Sequence, residues 1–158
     1  MDEMEKRRTI VVVSHDPGWA GRFREEEGRL RELLGETFVR AHHIGSTSVP
    51  GLDAKPIVDI LLEVRSVERL DEMEASFRDA GYRVFGEYGI RGRRFYIKGF
   101  DPNRSHHVHA YAAGHERLED HLLFRDYLRG HPEEAAAYAR LKRELAARFP
   151  HDLSLIHI

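Results

Sequence analysis

The sequence predicts an α+β domain: one mixed β-sheet with flanking helices. Two observations carry this. Strand-like and helix-like segments follow one another irregularly, in the order β-α-β-β-α-β-β-β-α-α. The most apolar of them, "KPIVDILLEV" at Lys55–Val64, is a near-continuous run. Such a run belongs to a strand buried on both faces, hence to the middle of a sheet.

The elements read as follows. "TIVVVS", residues 9–14, is rich in β-branched residues and predicts a strand. Asp16-Pro17 is a helix start, with Asp16 as N-cap and Pro17 in the first turn. Trp19, Phe23, Leu30, Leu33 and Leu34 recur at helical spacing and predict a helix over 17–35. A strand over 37–44 leads into a turn of small residues, and the apolar strand 55–64 follows. Ser66 opens a second helix that carries Leu70, Met73 and Phe77 and stops near Gly81. "YRVFGE", "RRFYIKG" and "HHVHAYAA" predict three strands separated by glycine bends. Two helices close the chain. One runs over about 115–129; the other opens at His131-Pro132 with acids in its first turn and a stripe of Tyr138, Leu141, Leu145 and Phe149.

Residues 1–150 read as a single domain, with no repeat, linker or low-complexity segment. The tail "HDLSLIHI", residues 151–158, has no clear period and is expected to lie outside the fold; no role is assigned to its histidines. At 158 residues folding buries roughly 70% of the unfolded chain's surface, enough for a core without staples. Apolar residues make up 41% and charged residues 33%, as in ordinary globular proteins.

Composition also excludes chemistries. With no cysteine there are no disulfides, thiolate nucleophiles or Cys-ligated zinc or iron–sulfur sites. A net charge of -2, with basic residues interleaved with acids, gives no case for nucleic acid as a partner. The apolar run Ile10–Val13 is too short for a signal peptide core, and nothing approaches the ~20 apolar residues of a membrane span. A cytoplasmic protein that does not engage a membrane is expected.

The chemistry concentrates in "HIGSTSVPGLDAKPIVDILLEV", residues 43–64. Gly45 permits close backbone approach to a ligand. Successive amides in such a turn form anion sites, and Ser46, Thr47 and Ser48 add hydroxyl donors suited to phosphate. Lys55 offers a point charge. The pattern is not a Walker loop, because Pro50 stands where the Gly-Lys-Ser/Thr would begin.

Asp59 interrupts a buried strand, where an unpartnered carboxylate is costly. It is therefore paired, neutral or bound to a cation. The bland alternative is a hydrogen bond to a loop amide or an arginine. Asp59 shares its face with Ile57, Leu61 and Glu63. A Gly-Ser turn followed by a strand acid resembles the nucleotidyltransferase fold of the DNA polymerase beta superfamily, in which the turn holds triphosphate and strand acids hold magnesium. That superfamily carries a second acid two residues on, where this chain has Leu61. Glu63 lies about 13 Å from Asp59 at the strand rise, too far to bridge two ions ~3.5–4 Å apart.

"RSHHVHAY" places His107 and His109 on one strand face and His106 and Val108 on the other. A His-x-His pair could bind a divalent metal, touch substrate or act as general base; solvent-facing or hydrogen-bonded histidines are the plainer reading. In "RGRRFYIKG", Arg94, Tyr96 and Lys98 share a face that could neutralise phosphate, or form a solvated sheet edge. Arg125 and Lys142 read as helix-surface charges.

Taken together, "VVVSHDPGWAGRFREE", "HIGSTSVPGLDAKPIVDILLEV", "GRRFYIKG", "SHHVHAY" and "HLLFRDYLRGHPEEAAAYARLKRELAARFP" resemble the GrpB (UPF0157-like) family of bacterial proteins over residues 10–150. The resemblance implies the nucleotidyltransferase-like fold and a relationship to a domain fused to dephospho-CoA kinase. This chain has no P-loop and is not expected to be that kinase.

Three functions follow. The first binds a nucleotide or other phosphate-bearing small molecule, with Gly45, Ser46, Thr47, Ser48, Lys55, Arg94 and Lys98 around the phosphates. Asp59 is then catalytic and holds Mg2+, with His107 or His109 as further metal ligands, and nucleotidyl transfer is the reaction. The alternative is a non-catalytic nucleotide- or anion-binding accessory module. The third is a metal-dependent hydrolase in which a different divalent metal sits on Asp59 and the His-x-His strand.

Overall fold

The computed structural model describes residues 11–100 and 103–148. Helix α1 (Gly18–Leu34) begins where Asp16 Oδ1 accepts the Gly18 N–H at 2.8 Å, one residue later than expected. It buries Trp19, Leu30 and Leu34 on one side. Strand β1 (Phe38–Ile44) leads through the Gly-Ser turn to β2 (Val58–Val64). The expected strand from Lys55 starts late. Ala54 instead bridges Val13, Pro56 lacks an N–H, and the Ile57 N–H turns back to Lys55 O at 2.8 Å. Of the expected first strand, Val13 forms this isolated bridge, while Thr9 and Ile10 lie outside the described residues.

The helix expected over 66–81 forms as two, α2 (Val67–Asp71) and α3 (Glu74–Asp79). The Glu72 and Met73 N–H groups reach back only three residues, to Arg69 O and Leu70 O, and Met73 leaves helical geometry at φ -105, ψ 14. Ser66 donates its hydroxyl to Glu68 rather than accepting a backbone N–H. Three strands follow: β3 (Tyr82–Val84), β4 (Arg94–Lys98) and β5 (His106–Ala112). Helices α4 (Glu116–Gly130) and α5 (Pro132–Arg148) end the described chain. The Leu145 side chain, Phe149 and the tail 151–158 lie outside the described residues.

The sheet order is β1-β2-β5-β4-β3. β2 and β5 run parallel and every other neighbouring pair antiparallel, so the sheet is mixed, as expected. β2 is interior and buried on both faces. Val58, Ile60, Leu62 and Val64 join Trp19, Leu70, Phe77 and Tyr96 in the main core, under α1, α2 and α3. Truncating one such Leu or Ile to Ala costs about 2–5 kcal/mol. On the opposite face Leu61 packs with Ile44, Tyr111 and Leu118, beneath α4. The remainder of that face is open and forms a cleft.

The covered face also absorbs a charge. Glu26 of α1 is fully buried and receives Lys98 Nζ at 2.9 Å on both oxygens, together with the Tyr82 hydroxyl. Burial drives its pKa up, but the bonds from Tyr82 and Lys98 outweigh that and hold the carboxyl below its ordinary range.

Candidate functional site

The cleft starts at the turn after β1. Gly45 adopts φ 72, ψ -175, a conformation essentially reserved for glycine. A Cβ built there would stand 2.7 Å from Asp59 Oδ2 and 3.1 Å from Asp59 Cβ. The glycine thus admits the strand acid against the turn. Its register makes this so: Ile44 pairs with Asp59, and Gly45 comes next.

Ser46–Ser48 form a single 3-10 turn. Ser48 gives both its N–H and its hydroxyl to Gly45 O, at 3.1 and 2.6 Å, so its side chain serves the turn rather than the cleft. Thr47 Oγ1 meets His43 Nε2 at 2.9 Å. His43 stacks on Phe23, and burial lowers its pKa to about 4, so the ring is neutral near pH 7. Helix α4 braces the turn from outside: Arg129 Nε donates to Ser48 O at 3.0 Å and Arg125 Nη1 to His43 O at 3.3 Å. Arg125 is therefore not the plain surface charge expected; the Lys142 side chain lies outside the described residues.

Asp59 pairs with His107 and is one strand over from His109, because β2 and β5 run in parallel register. Both imidazoles address the same carboxylate oxygen, His109 Nε2 at 3.3 Å and His107 Nδ1 at 3.7 Å. On its other side, His109 Nδ1 lies 3.4 Å from Arg93 Nη1. A guanidinium only donates. Nδ1 therefore accepts, and the His109 proton sits on Nε2, toward Asp59. The result is a continuous line from cation through imidazole to carboxylate.

Arg93 does more than this. Its Nε donates to Glu87 O at 3.2 Å and its Nη2 to Tyr88 O at 2.7 Å, while the guanidinium lies 4.7 Å over the Phe95 ring. Burial lowers its pKa, yet guanidinium remains charged at neutral pH. Arg94 and Lys98, the basic residues singled out from the sequence, lie on the opposite face. Arg94 forms a two-pronged pair with Asp71 at 2.8 and 3.0 Å, and Lys98 is committed to Glu26. Adjacent strand residues alternate faces, so of Arg93 and Arg94 it is Arg93 that faces the cleft.

The cleft has a volume of about 620 Å³, within the range of small-molecule sites. It brings together Gly45, Ser46, Thr47, Lys55, Asp59, His107 and His109 of the expected residues. Ser48, Arg94 and Lys98 are not among its walls. Sequence reasoning missed Arg104, Arg117, His121, Tyr88 and Tyr138, which also line it. Burial, and next to it His109, lowers the His121 pKa to about 4. Burial and the nearby Asp59 raise Tyr138 to about 12. Arg104 opens the "RSHHVHAY" segment and Tyr138 falls in the apolar stripe of the last helix, but nothing local shows that either faces the cleft; Tyr88, Arg117 and His121 fall in no local pattern.

Where a second acid would stand, Leu61 is fully buried in apolar packing. Glu63 is turned to β1, bonded to His42 Nε2 at 2.8 Å and Arg40 Nε at 3.0 Å. Among the described residues no group of three or more His, Asp or Glu side chains is arranged to hold a metal ion. One carboxylate, Asp59, lines the cleft. A single carboxylate does not fit a pair of resident ions.

Comparison with known proteins agrees with this architecture. A family model described as GrpB protein matches residues 9–155. The UPF0157 protein YqkA of Bacillus subtilis is 45% identical over 148 residues, 94% of this chain and 43% of that protein. The UPF0157 protein PA4798 of Pseudomonas aeruginosa is 40% identical over 146 residues, 90% of this chain and 60% of that protein. The chain thus spans roughly half the length of these two relatives. A dephospho-CoA kinase of Mycobacterium leprae is 30% identical over 159 residues, 84% of this chain and 39% of that protein. The crystal structure of GrpB from Enterococcus faecalis superposes with a TM-score of 0.88 at 40% identity, covering 93% of this chain and 89% of that one. Chains from the GLD-2/RNP-8 complex and from the E. coli MS115-1 CdnC:HORMA-deltaN complex superpose at TM-scores of 0.61 and 0.51, with 14% and 15% identity. They cover 91% and 87% of this chain and 58% and 55% of theirs, a likeness of fold alone. By sequence over nearly its whole length, and by a five-stranded mixed sheet of the nucleotidyltransferase-like type, this chain belongs to the GrpB family.

Proposed function

We propose that the cleft binds a nucleotide, or a related phosphate-bearing small molecule, together with a divalent cation shared between Asp59 and the phosphates. The observation that carries the reading is the imbalance of charge in one cleft. Lys55, Arg93, Arg104 and Arg117 line the same cleft as a single carboxylate, beside the Gly-Ser turn. A concave surface so lined favours a multiply charged anion. Asp59 supplies the negative site that a magnesium ion needs once phosphate oxygens and water fill its other positions. His107 and His109 hold that carboxylate in place.

A second reading is favoured by Leu61: binding without transfer. Transfer by the two-ion route needs a second acid at that position, and the residue there is an apolar side chain in a sealed cluster. The dephospho-CoA kinase relative brings coenzyme A precursors into the ligand set to be tested. Among the described residues no helix is long and apolar enough to cross a membrane.

The test is a thermal-shift and calorimetric screen of nucleoside triphosphates and coenzyme A precursors, with and without magnesium, on the wild type and Asp59→Asn. Magnesium-dependent binding that vanishes in the variant is expected. Binding indifferent to both removes the cation from Asp59. A parallel assay of nucleotidyl release on the wild type and Leu61→Asp separates the readings: turnover gained only by the variant supports binding without transfer, and turnover in the wild type refutes it.

A further inference from the structure

The loop between β3 and β4 takes positive φ at Gly86, Gly89 and Gly92, as turns commonly require. It also takes it at Tyr88, with φ 47, where a bulky residue is a true outlier. Tyr88 is the only non-glycine residue with positive φ among the described residues. Glycine or asparagine would hold this bend more easily. The tyrosine does not repay the strain by burial, since it is 61% exposed. It lines the cleft.

Its ring is nonetheless fixed. It lies parallel to Phe95, centroids 5.5 Å apart and planes 8° apart, and leans on Phe85 at 5.1 Å. Arg93 Nη2 holds the Tyr88 carbonyl at 2.7 Å, and the Glu87 carboxylate accepts the Gly92 N–H at 2.7 Å, closing the loop on itself. One ring face is against Phe95, and most of the residue's surface remains exposed. Phe95 lies 5.0 Å from the His109 ring, and His109 is bonded to Asp59. Tyr88, Phe95, His109 and Asp59 are thus a continuous row across the sheet, apolar and flat at one end and ionic at the other. β2 and β4 are two strand spacings apart, roughly 10 Å, and the Tyr88 ring lies beyond Phe95 of β4, so a ligand reaching from Asp59 to that ring must be extended, as a base joined through a sugar to a phosphate chain is.

We infer that Tyr88 is a stacking platform, held open by its strained backbone, for a flat heteroaromatic ring on the ligand whose phosphates sit by Asp59. This rests on the phosphate-bearing ligand reading above and adds the chemistry of the ligand's other half. Stacking is tolerant of ring identity because every base offers a π-face, so adenine serves as the probe.

The experiment uses the intact protein carrying 3-fluorotyrosine, the Tyr88 resonance being assigned with Tyr88→Phe. ATP, adenosine and inorganic triphosphate are titrated in magnesium, and affinities are measured for the wild type, Tyr88→Phe, Tyr88→Ala and Tyr88→Gly. The Tyr88 resonance shifts with ATP and with adenosine. Tyr88→Ala weakens ATP about ten- to hundredfold, leaves inorganic triphosphate unchanged, and Tyr88→Phe retains ATP. Tyr88→Gly relieves the bend, so it stays folded and reproduces the alanine loss. A Tyr88 resonance unmoved by both ATP and adenosine, or an ATP affinity within about twofold of wild type in Tyr88→Ala, overturns the platform. So does an equal loss of inorganic triphosphate in Tyr88→Ala and Tyr88→Gly, which assigns the residue to loop structure. Failure of the phosphate reading shows separately, as absent triphosphate binding and no effect of Asp59→Asn; the adenosine shift then decides the platform alone.

Discussion

Gly45→Ala tests the central geometry. The substitution acts twice. It places an L side chain at φ 72, ψ -175, a backbone conformation that costs about 1–3 kcal/mol. It also sets a methyl 2.7 Å from Asp59 Oδ2 and 3.2 Å from Asp59 Cγ, contacts that real Cβ atoms avoid. The carboxylate must move, and it moves off His109, a hydrogen bond to a charged group worth about 1.5–3 kcal/mol. The sum is about 2.5–6 kcal/mol, a large share of the 5–15 kcal/mol typical of a domain. At this chain length it lowers Tm by roughly 5–24 °C. Urea unfolding followed by Trp19 fluorescence measures it, since Trp19 is 1% exposed and is the single tryptophan. Repeating the substitution in Asp59→Ala separates the two parts. The contacts at 2.7 and 3.2 Å are then gone while the backbone strain remains. A coupling of about 1–2 kcal/mol is expected. Costs that add within about 0.5 kcal/mol, or a total cost below about 1 kcal/mol, would show that turn and acid do not press on each other.

Two further outcomes follow. His43 and His121 both protonate only near pH 4 in the fold, against an ordinary 6.5. As pH falls the unfolded chain takes up protons first, so stability is full above about 6.5 and is lost toward 4; from pH 7 to 5 each costs about 2 kcal/mol. Urea midpoints across that window fall in the wild type, and His43→Gln and His121→Gln each flatten the slope. Arg93→Ala weakens phosphate-ligand binding tenfold or more, having lost a charge-assisted contact. Arg94→Ala leaves binding unchanged and costs about 1 kcal/mol of stability through its pair with half-exposed Asp71.

Much of the fold was legible because β2 is so apolar: a run buried on both faces belongs in mid-sheet, and β2 lies there between β1 and β5. The meeting of the turn, Asp59 and the two imidazoles was likewise visible as matching local signals on neighbouring strands. The basic residues were not. Alternation shows that Arg93 and Arg94 point opposite ways, but not which way is the cleft, and only tertiary packing of Tyr96 on Phe77 decides it. The split between α2 and α3 was hidden because Leu70 and Phe77 keep one apolar face through the break. Tyr88 carried no periodic signal at all; its meaning lies in one dihedral angle.

The parallel pairing of β2 with β5 has a consequence for biosynthesis. The two strands that frame the site are about 50 residues apart in sequence. On the ribosome, β2 emerges long before the segment that will sit beside it. In that interval an Ile-Leu-Leu stretch has a bare flank able to recruit other chains. A nascent protein halted short of residue 106 is therefore expected to aggregate, and the cleft is among the last features to be completed.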